Sequence, residues 1–304
     1  MDPTFDVNLT LPRLKNTDNS EEGGAAVFGA PFGTEMLPLE ILEAIINVVD
    51  DRQDLMSCAL ACTYFRRRCQ SKLFRDFRIR CDYDTTTFEE GGLVHAVTTN
   101  DSQTNVGSFI RWLKIENEYG VSRIRGGARA VDHMLGQFVQ KLNAVEKLEF
   151  RGAGFDWGHG ELAEGLITAL QRPTLKGLKL ASLEGFPMPI IVWGRWLRRI
   201  EIERVMFMQT GPSTGSRKPL SSPSLEELNM DNRGMGLSLL RRHILSCTVG
   251  QPMLTNLRRL RLEYRDSEGD RPDDINRLLT ACQSSLEDLV LFLTHDGALE
   301  VYLF

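Results

Sequence analysis

The heptapeptide TLKGLKL (174–180) recurs in variant form from residue 109 onward and decides the fold of this part of the chain. Its second, fifth and seventh residues are apolar, and the alternation of its last three residues is typical of a short strand with one buried face. Six further segments keep the pattern: FIRWLKI (109–115), AVEKLEF (144–150), WLRRIEI (196–202), SLEELNM (224–230), NLRRLRL (256–262) and SLEDLVL (285–291). Their mean spacing of about 29 residues predicts a repeat architecture.

Helical patterns of apolar residues lie between these strands. Spacings of three and four residues link Val131, Leu135, Phe138, Val139 and Leu142; Leu162, Leu166, Ile167 and Leu170; Leu237, Leu240, Ile244 and Cys247; and Ile275, Leu278, Leu279 and Cys282. Pro187 and Pro189 fall in the short interval from Leu175 to Leu197 and predict a unit without a full helix. Strands this short cannot bury a face alone, so the pattern predicts an α/β fold of stacked units that share a parallel sheet.

Over residues 109–304 the repeat resembles a leucine-rich-repeat horseshoe, which implies an irregular solenoid of short parallel strands. The best-defined repeats of that kind carry asparagine at their ninth position. This chain instead carries Ala153, Leu183, Val205, Arg233, Arg265 and Thr294 there. The competing architecture is a Rossmann-like nucleotide-binding domain, because Gly152, Gly154 and Gly158 follow a predicted strand and precede a helix. Their spacing, GxGxxxG, departs from the GxGxxG of phosphate-binding turns.

Upstream, residues 36–80 (MLPLEILEAIINVVDDRQDLMSCALACTYFRRRCQSKLFRDFRIR) read as a module of three short helices. Pro38 suits the first position of a helix, and Glu40 favours the positive end of its dipole. The first helix has two apolar faces, which is more than one small core can cover. This surplus predicts a protein interface.

The same residues carry a resemblance to the F-box family. The order LPxEIL from Leu37 to Leu42, a second helix, and a C-x-x-aromatic-R turn from Cys62 to Arg66 match its pattern, with Phe65 where tryptophan is common. The segment LFRDFRI (73–79) resembles the exit segment of many fungal members. The resulting division is a disordered tail (1–34), an F-box (35–80), a connector (81–108) and the repeat domain (109–304).

The F-box resemblance implies a substrate-recognition subunit of an SCF-type cullin-RING ubiquitin ligase. It implies that a Skp-type adaptor binds the F-box and that an unknown protein substrate binds the repeats. The residues that it assigns to the adaptor are Leu37, Pro38, Ile41, Leu42, Ile45 and Leu55. Two alternatives stay open: a scaffold that does not engage a ligase, with the helices packed on their own C-terminal domain, and a nucleotide-using enzyme.

A substrate surface is predicted on the polar positions of the strands. Arg199, Glu201, Arg259 and Arg261 should point outward from their strands. Arginine forks bind carboxylate and phosphate groups through paired hydrogen bonds, so these residues could read an acidic or phosphorylated segment. A solvated face of mixed charge is the alternative.

Composition argues for a globular protein without resident chemistry. The 304 residues are 42% hydrophobic and 25% charged, and the net charge of -5 argues against general nucleic-acid binding. No apolar run suits a membrane span or a secretory signal, so a cytoplasmic or nuclear location is expected. The six cysteines form no CxxC pair, and no GxSxG, HExxH or Walker segment occurs, so no metal, cofactor or catalytic residue is predicted.

Overall fold

The computed structural model describes residues 38–61, 63–81, 92, 94, 97, 105–117, 127–157, 160–208, 224–231, 254–265, 272–295 and 298–303. The predicted N-terminal tail, Leu37, most of the connector, Gly158 and the helix expected around Leu237 lie outside these residues. The chain divides into two compact units, Met1–Leu73 and Phe74–Phe304. The division falls before the predicted end of the F-box at residue 80.

The first unit contains three helices: α1 (Leu39–Val48), α2 (Arg52–Ala61) and α3 (Thr63–Leu73). Helix α1 begins at Leu39, so Pro38 is its N-cap and not its first residue as predicted. The carbonyl of Pro38 accepts the N–H groups of Ile41 and Leu42 at 3.0 and 3.2 Å. The side chain of Asp51 accepts the N–H of Asp54 at 3.0 Å and caps α2.

Lys72 of α3 holds the C-terminal end of α1. Its Nζ atom donates to the carbonyl oxygens of Ile46, Asn47 and Val49 at 3.2, 3.1 and 2.7 Å. The carbonyl of Ile46 also accepts the N–H of Val49 at 3.3 Å. All three carbonyls lie at the negative end of the helix dipole, which a lysine side chain stabilises. This contact fixes α3 against α1.

The second unit is built on one open sheet of nine strands in the order β1-β2-β3-β4-β6-β8-β9-β10-β11. A separate parallel pair is formed by β5 (Phe186–Pro187) and β7 (Phe207–Met208). The strands of the large sheet are β1 (Asp76–Arg80), β2 (Trp112–Glu116), β3 (Lys147–Arg151), β4 (Gly177–Ala181), β6 (Arg199–Glu203), β8 (Glu227–Asp231), β9 (Arg259–Arg265), β10 (Asp288–His295) and β11 (Ala298–Leu303).

Each of the seven heptapeptides contributes a strand, which confirms the α/β class and the parallel arrangement. The strands from β1 to β10 are all parallel, whereas β11 runs antiparallel to β10. Strand β1 comes from the segment assigned to the end of the F-box. Strands β9 and β10, with 7 and 8 residues, are longer than the repeat predicts.

Three helices of the second unit occupy positions that the apolar spacing predicts: α4 (Gly127–Lys141), α5 (Glu161–Leu170) and α6 (Pro272–Cys282). A 3-10 helix, Met188–Trp193, stands between β4 and β6 in place of a full α-helix, as expected; Pro187 precedes it and Pro189 lies in its first turn. Another, Asn105–Ser108, precedes β2. The helical side chains pack on one face of the sheet, which we call its core face.

The core face is built from two rows of apolar side chains in constant register. One row contains Leu148, Leu178, Ile200, Leu228 and Leu260, and the other contains Phe150, Leu180, Ile202, Met230 and Leu262. Each of these side chains is at most 2% exposed. Full burial of such a side chain contributes about 1.5–3 kcal/mol, so these rows are the main source of stability in the sheet.

Candidate functional site

Helix α1 carries an apolar face that the described part of the first unit does not cover. Ile41, Ile45 and Val48 are 48%, 41% and 78% exposed. Their spacing places them on one side of the helix. The adjacent residue Ile46 is only 2% exposed and belongs to the core.

The opposite side of α1 is fixed to α3. Glu43 forms an ion pair with Arg68, and the hydroxyl of Tyr64 donates to the Oε1 atom of Glu43 at 3.4 Å. Together with the lysine cap, these contacts hold α1 in one rotation about its axis. The face of Ile41, Ile45 and Val48 is therefore presented outward from the unit that the structure describes.

The residues assigned to the adaptor occupy different environments. Pro38 is exposed, and Leu42 is half-buried. Leu55 is only 4% exposed, so its side chain belongs to the core and not to the exposed face. Two further apolar side chains, Met56 and Leu60 on α2, are 37% and 82% exposed and were missed.

The sheet face opposite the core face, here called the outer face, carries a continuous chain of ion pairs across its first strands. Arg78 pairs with Glu116, whose carboxylate also lies 2.6 Å from the Nζ atom of Lys114. Lys114 lies 3.6 Å from Glu149, and Arg151 lies 3.6 Å from the same carboxylate. The side chains of Glu116 and Glu149 are only 3% and 4% exposed because the cations cover them.

The chain of ion pairs continues to β6. Arg151 lies 3.7 Å from Glu203, and Lys179 lies 2.5 Å from Glu203 and 3.1 Å from Glu201. Lys147 closes it with a contact of 3.4 Å to Glu201. Every charged side chain in this row of ion pairs, from Arg78 to Glu201, therefore has a partner of opposite charge.

These contacts change the titration of the groups they join. Burial would raise the pKa of Glu116, but hydrogen bonds from Lys114 and Arg78 lower it below its usual value. The pKa of Glu201 is lowered in the same way, since Lys179 and Lys147 outweigh burial. Both carboxylates are stabilised in their ionised form.

The arginines of the predicted substrate surface lie beyond the chain of ion pairs. Their side chains are more exposed than those of its cations. The register places Arg199 of β6 beside Glu227 of β8 and Glu227 beside Arg259 of β9. The Oε2 atom of Glu227 lies 2.9 Å from the Nε atom of Arg199, and its other oxygen pairs with Arg259. Arg261 lies with its guanidinium carbon 4.7 Å from the ring centre of Phe292.

The structure thus places all four predicted substrate residues on the outer face, with Glu201 two residues from Arg199 on β6. Glu201 is held by Lys179 and Lys147 and belongs to the ion-pair chain. Glu227 and Phe292 were missed, although each contacts one or more of the arginines. Their only signal in the sequence was the register of strands about 30 residues apart. We call Arg199, Glu227, Arg259 and Arg261 the arginine cluster.

Gly152, the first of the glycines that suggested a nucleotide site, has a structural role. The N–H of Gly152 donates to the carbonyl of Ala181 at 2.9 Å and is therefore committed to the sheet. A Cβ atom on Gly152 would lie 1.7 Å from the carbonyl oxygen of Asn117, and its φ is +101°. Helix α5 then begins with Glu161 and Glu164 in its first turn, where they disfavour a phosphate.

Within the described residues, no group of three or more His, Cys, Asp or Glu side chains is arranged to hold a metal ion. No helix in that part of the chain combines the length and the apolar character that crossing a bilayer requires. No protein-family model, curated protein or solved structure matches the chain.

Proposed function

We propose that this chain is a non-catalytic interaction protein of two parts, in which a small helical unit binds a shared partner and a repeat sheet binds a cargo. More specifically, we propose a substrate receptor of an SCF-type cullin-RING ubiquitin ligase, working in the cytoplasm, the nucleus or both. The helical unit is its F-box, and the partner of that unit is a Skp-type adaptor.

The observation that carries this proposal is the exposed apolar face of α1. Ile41, Ile45 and Val48 are presented outward, while Glu43 on the other side of the helix is fixed to α3. A row of large, exposed apolar side chains on one side of a helix is typical of a helix that binds a partner protein through that side. The LPxEIL motif of the F-box family covers the start of the same helix.

The second unit supports the role of cargo binding. Its parallel strands recur in constant register, as expected for a solenoid similar to leucine-rich repeats. Such a sheet leaves its outer face to a protein ligand. Ubiquitin transfer itself is assigned to the other subunits, and this chain raises the concentration of the substrate near them.

Co-purification of the full chain with a Skp-type adaptor tests the proposal. Ile41→Asp combined with Ile45→Asp places charges on the exposed face and should abolish co-purification. Asn47→Asp is the matched control, because Asn47 is an exposed residue of the same helix outside that face. It should keep the adaptor bound.

If the intact chain binds no adaptor, the proposal is wrong and a scaffold outside the ligase is favoured. Thermal stabilisation by ATP would favour the nucleotide-using enzyme instead. Two observations argue against that result. The N–H of Gly152 already donates to a carbonyl of the sheet, and two glutamates lie in the first turn of α5.

A further inference from the structure

The residue that directly precedes each parallel strand is charged, and these residues form a row along the amino-terminal edge of the sheet. The backbone N–H of each donates to the carbonyl oxygen of the one before it, so neighbours in the row lie side by side. In order across the sheet, the members are Arg75, Arg111, Glu146, Lys176, Arg198, Glu226, Arg258 and Glu287.

Most members of this row are paired with a neighbour of opposite charge. The ion pairs are Arg111–Glu146 at 3.8 Å, Arg198–Glu226 at 2.5 Å and Arg258–Glu287 at 3.7 Å. Two cations are left over: Arg75 at the end of the row and Lys176 within it. Neither forms an ion pair with a residue that the structure describes.

Lys176 contacts an exposed tryptophan instead of a carboxylate. Its Nζ atom lies 5.2 Å from the ring centre of Trp196, and the guanidinium carbon of Arg195 lies 4.9 Å from the same centre. Trp196 lies in the turn before β6 and is 39% exposed. Arg195 also forms no ion pair within the described part of the chain. We call Lys176, Arg195 and Trp196 the tryptophan site.

The tryptophan site has an excess of two positive charges, which distinguishes it from the arginine cluster. There, Glu227 and Asp288 lie on either side of Arg259 in register, so acids balance the arginines. Around the tryptophan, the two acids of the row that flank the site, Glu146 and Glu226, are already paired with other arginines. An anion at the tryptophan site would displace no existing partner.

The flanking acids restrict the kind of anion that fits. The side chains of Glu146 and Glu226 are 62% and 37% exposed. A single-stranded nucleic acid needs a positive groove that follows successive phosphates, and an anionic membrane needs a wider basic surface. Either of them would meet these carboxylates. A ligand whose negative charge is concentrated at one point avoids them.

We propose that the tryptophan site binds a short acidic segment of a protein partner. Two neighbouring aspartate or glutamate side chains of the segment pair with Lys176 and Arg195, and an apolar side chain packs on the exposed part of Trp196. Tryptophan and arginine are enriched among the residues that contribute most to protein interfaces. The site lies apart from the exposed face of α1 and from the arginine cluster, so this inference goes beyond the proposed function.

The test uses the full chain and a randomised peptide library with a fixed Glu-Glu-Leu centre, together with the same library carrying Gln-Gln-Leu. The acidic library should be retained more strongly. Lys176→Gln combined with Arg195→Gln should reduce that retention by about tenfold, the effect of losing charge-assisted hydrogen bonds. Arg66→Gln combined with Arg67→Gln removes the same charge from exposed positions on α3 and should leave retention unchanged.

Two further variants separate specific binding from misfolding. Glu146→Gln removes the negative charge beside Lys176 and releases Arg111, so it should strengthen retention, a gain that misfolding cannot produce. Replacing the fixed leucine of the library by serine should weaken retention by the unaltered chain. Trp196→Ala should remove that difference between leucine and serine, since the two changes affect one contact.

Equal retention of the acidic and amide libraries would overturn the inference. Stronger binding of an oligothymidine strand or of phosphatidylserine vesicles, lost in the Lys176 and Arg195 variant, would overturn it as well. The same variant should still co-purify with a Skp-type adaptor, which separates the failure of this inference from that of the proposed function.

Discussion

A Cβ atom placed on Gly165 of α5 would lie 2.4 Å from the carbonyl oxygen of Gly136 in α4. The reverse substitution is equally crowded, because a Cβ on Gly136 would lie 2.5 Å from the carbonyl oxygen of Glu161. The two helices therefore meet backbone to backbone, at a distance that only glycine permits.

Gly165→Ala should destabilise the second unit, although alanine is normally the better helix former. Overpacking of this kind costs about 1–3 kcal/mol, and the upper end is expected because the obstructing atoms belong to the backbone. Urea unfolding measures the change. Gly107→Ala is the control: its nearest neighbour is the flexible side-chain atom Cδ2 of Leu142 at 3.1 Å, so a smaller effect is expected.

Asp132→Asn should stabilise the protein near neutral pH. Asp132 is 8% exposed and accepts the backbone N–H of Asp156 at 3.0 Å, a bond that an asparagine oxygen can also accept. Burial raises the pKa of Asp132 from 3.8 to about 6, with the backbone hydrogen bond of Asp156 opposing the shift. A raised acid pKa means that ionisation opposes folding above pH 6 and has no effect well below pH 3.8.

The gain from Asp132→Asn should therefore reach about 3 kcal/mol at neutral pH, as a pKa difference of about two units implies. It should shrink as the pH falls from about 6 to about 4. Urea unfolding of both proteins across this range measures it. A gain that stays constant with pH would show that ionisation is not its cause.

Ile45→Ala and Ile46→Ala should differ sharply although the residues are adjacent. Ile46 is 2% exposed, so its truncation should cost about 2–5 kcal/mol. Ile45 is 41% exposed in the isolated chain, and its truncation should cost less than about 1 kcal/mol. Thermal unfolding followed by far-UV circular dichroism tests both. Equal losses would mean that the face of Ile45 is covered within the chain.

Lys179→Met should destabilise the sheet by leaving Glu201 and Glu203 without their shared cation. Lys179 is the most enclosed cation of the ion-pair chain, and a loss of about 2 kcal/mol is expected for a partly buried pair. Lys176→Met, which removes a lysine in contact with the ring of Trp196, is the control and should cost less.

The loss of stability caused by Lys179→Met should depend on pH in one direction. The lysines lower the pKa of Glu201 against the effect of burial, so its ionisation stabilises the fold above the ordinary carboxylate range. This contribution is lost as the pH falls through the lowered value. The cost of Lys179→Met should accordingly decrease in acid, and a cost that grows there would contradict this explanation.

The sequence predicted seven strands of the large sheet, because each of them is marked by its own alternation; it did not predict β1, β5, β7 or β11. It also predicted that Arg199 and Arg259 share the outer face, since alternation fixes the face of a residue. The partners of these residues could not be predicted in the same way. Glu227 meets both arginines only because strands far apart in sequence align in one register.

Helix α1 shows a second feature that could not be predicted from the sequence, namely which of its apolar faces is buried. Periodicity indicated that Ile41, Ile45 and Ile46 are all apolar positions of a helix with two such faces. The choice of the buried face depends on contacts between α1 and α3 that join residues more than 20 positions apart: Tyr64 donates to Glu43, and Lys72 donates to the carbonyl of Ile46. The burial of Leu55 was not predicted either.

The constant register of the parallel strands bears on how this chain could change length. The two N–H groups at the start of each strand donate to one carbonyl before the previous strand, as Lys176 and Gly177 do to Glu146 at 2.8 and 2.9 Å. A duplicated or deleted unit would find the same donors and acceptors on both sides. Strand β11 interrupts this equivalence, because it reverses direction and occupies the edge of β10. Units can therefore be gained or lost by recombination between β2 and β10, whereas a unit added after β10 would first have to displace β11.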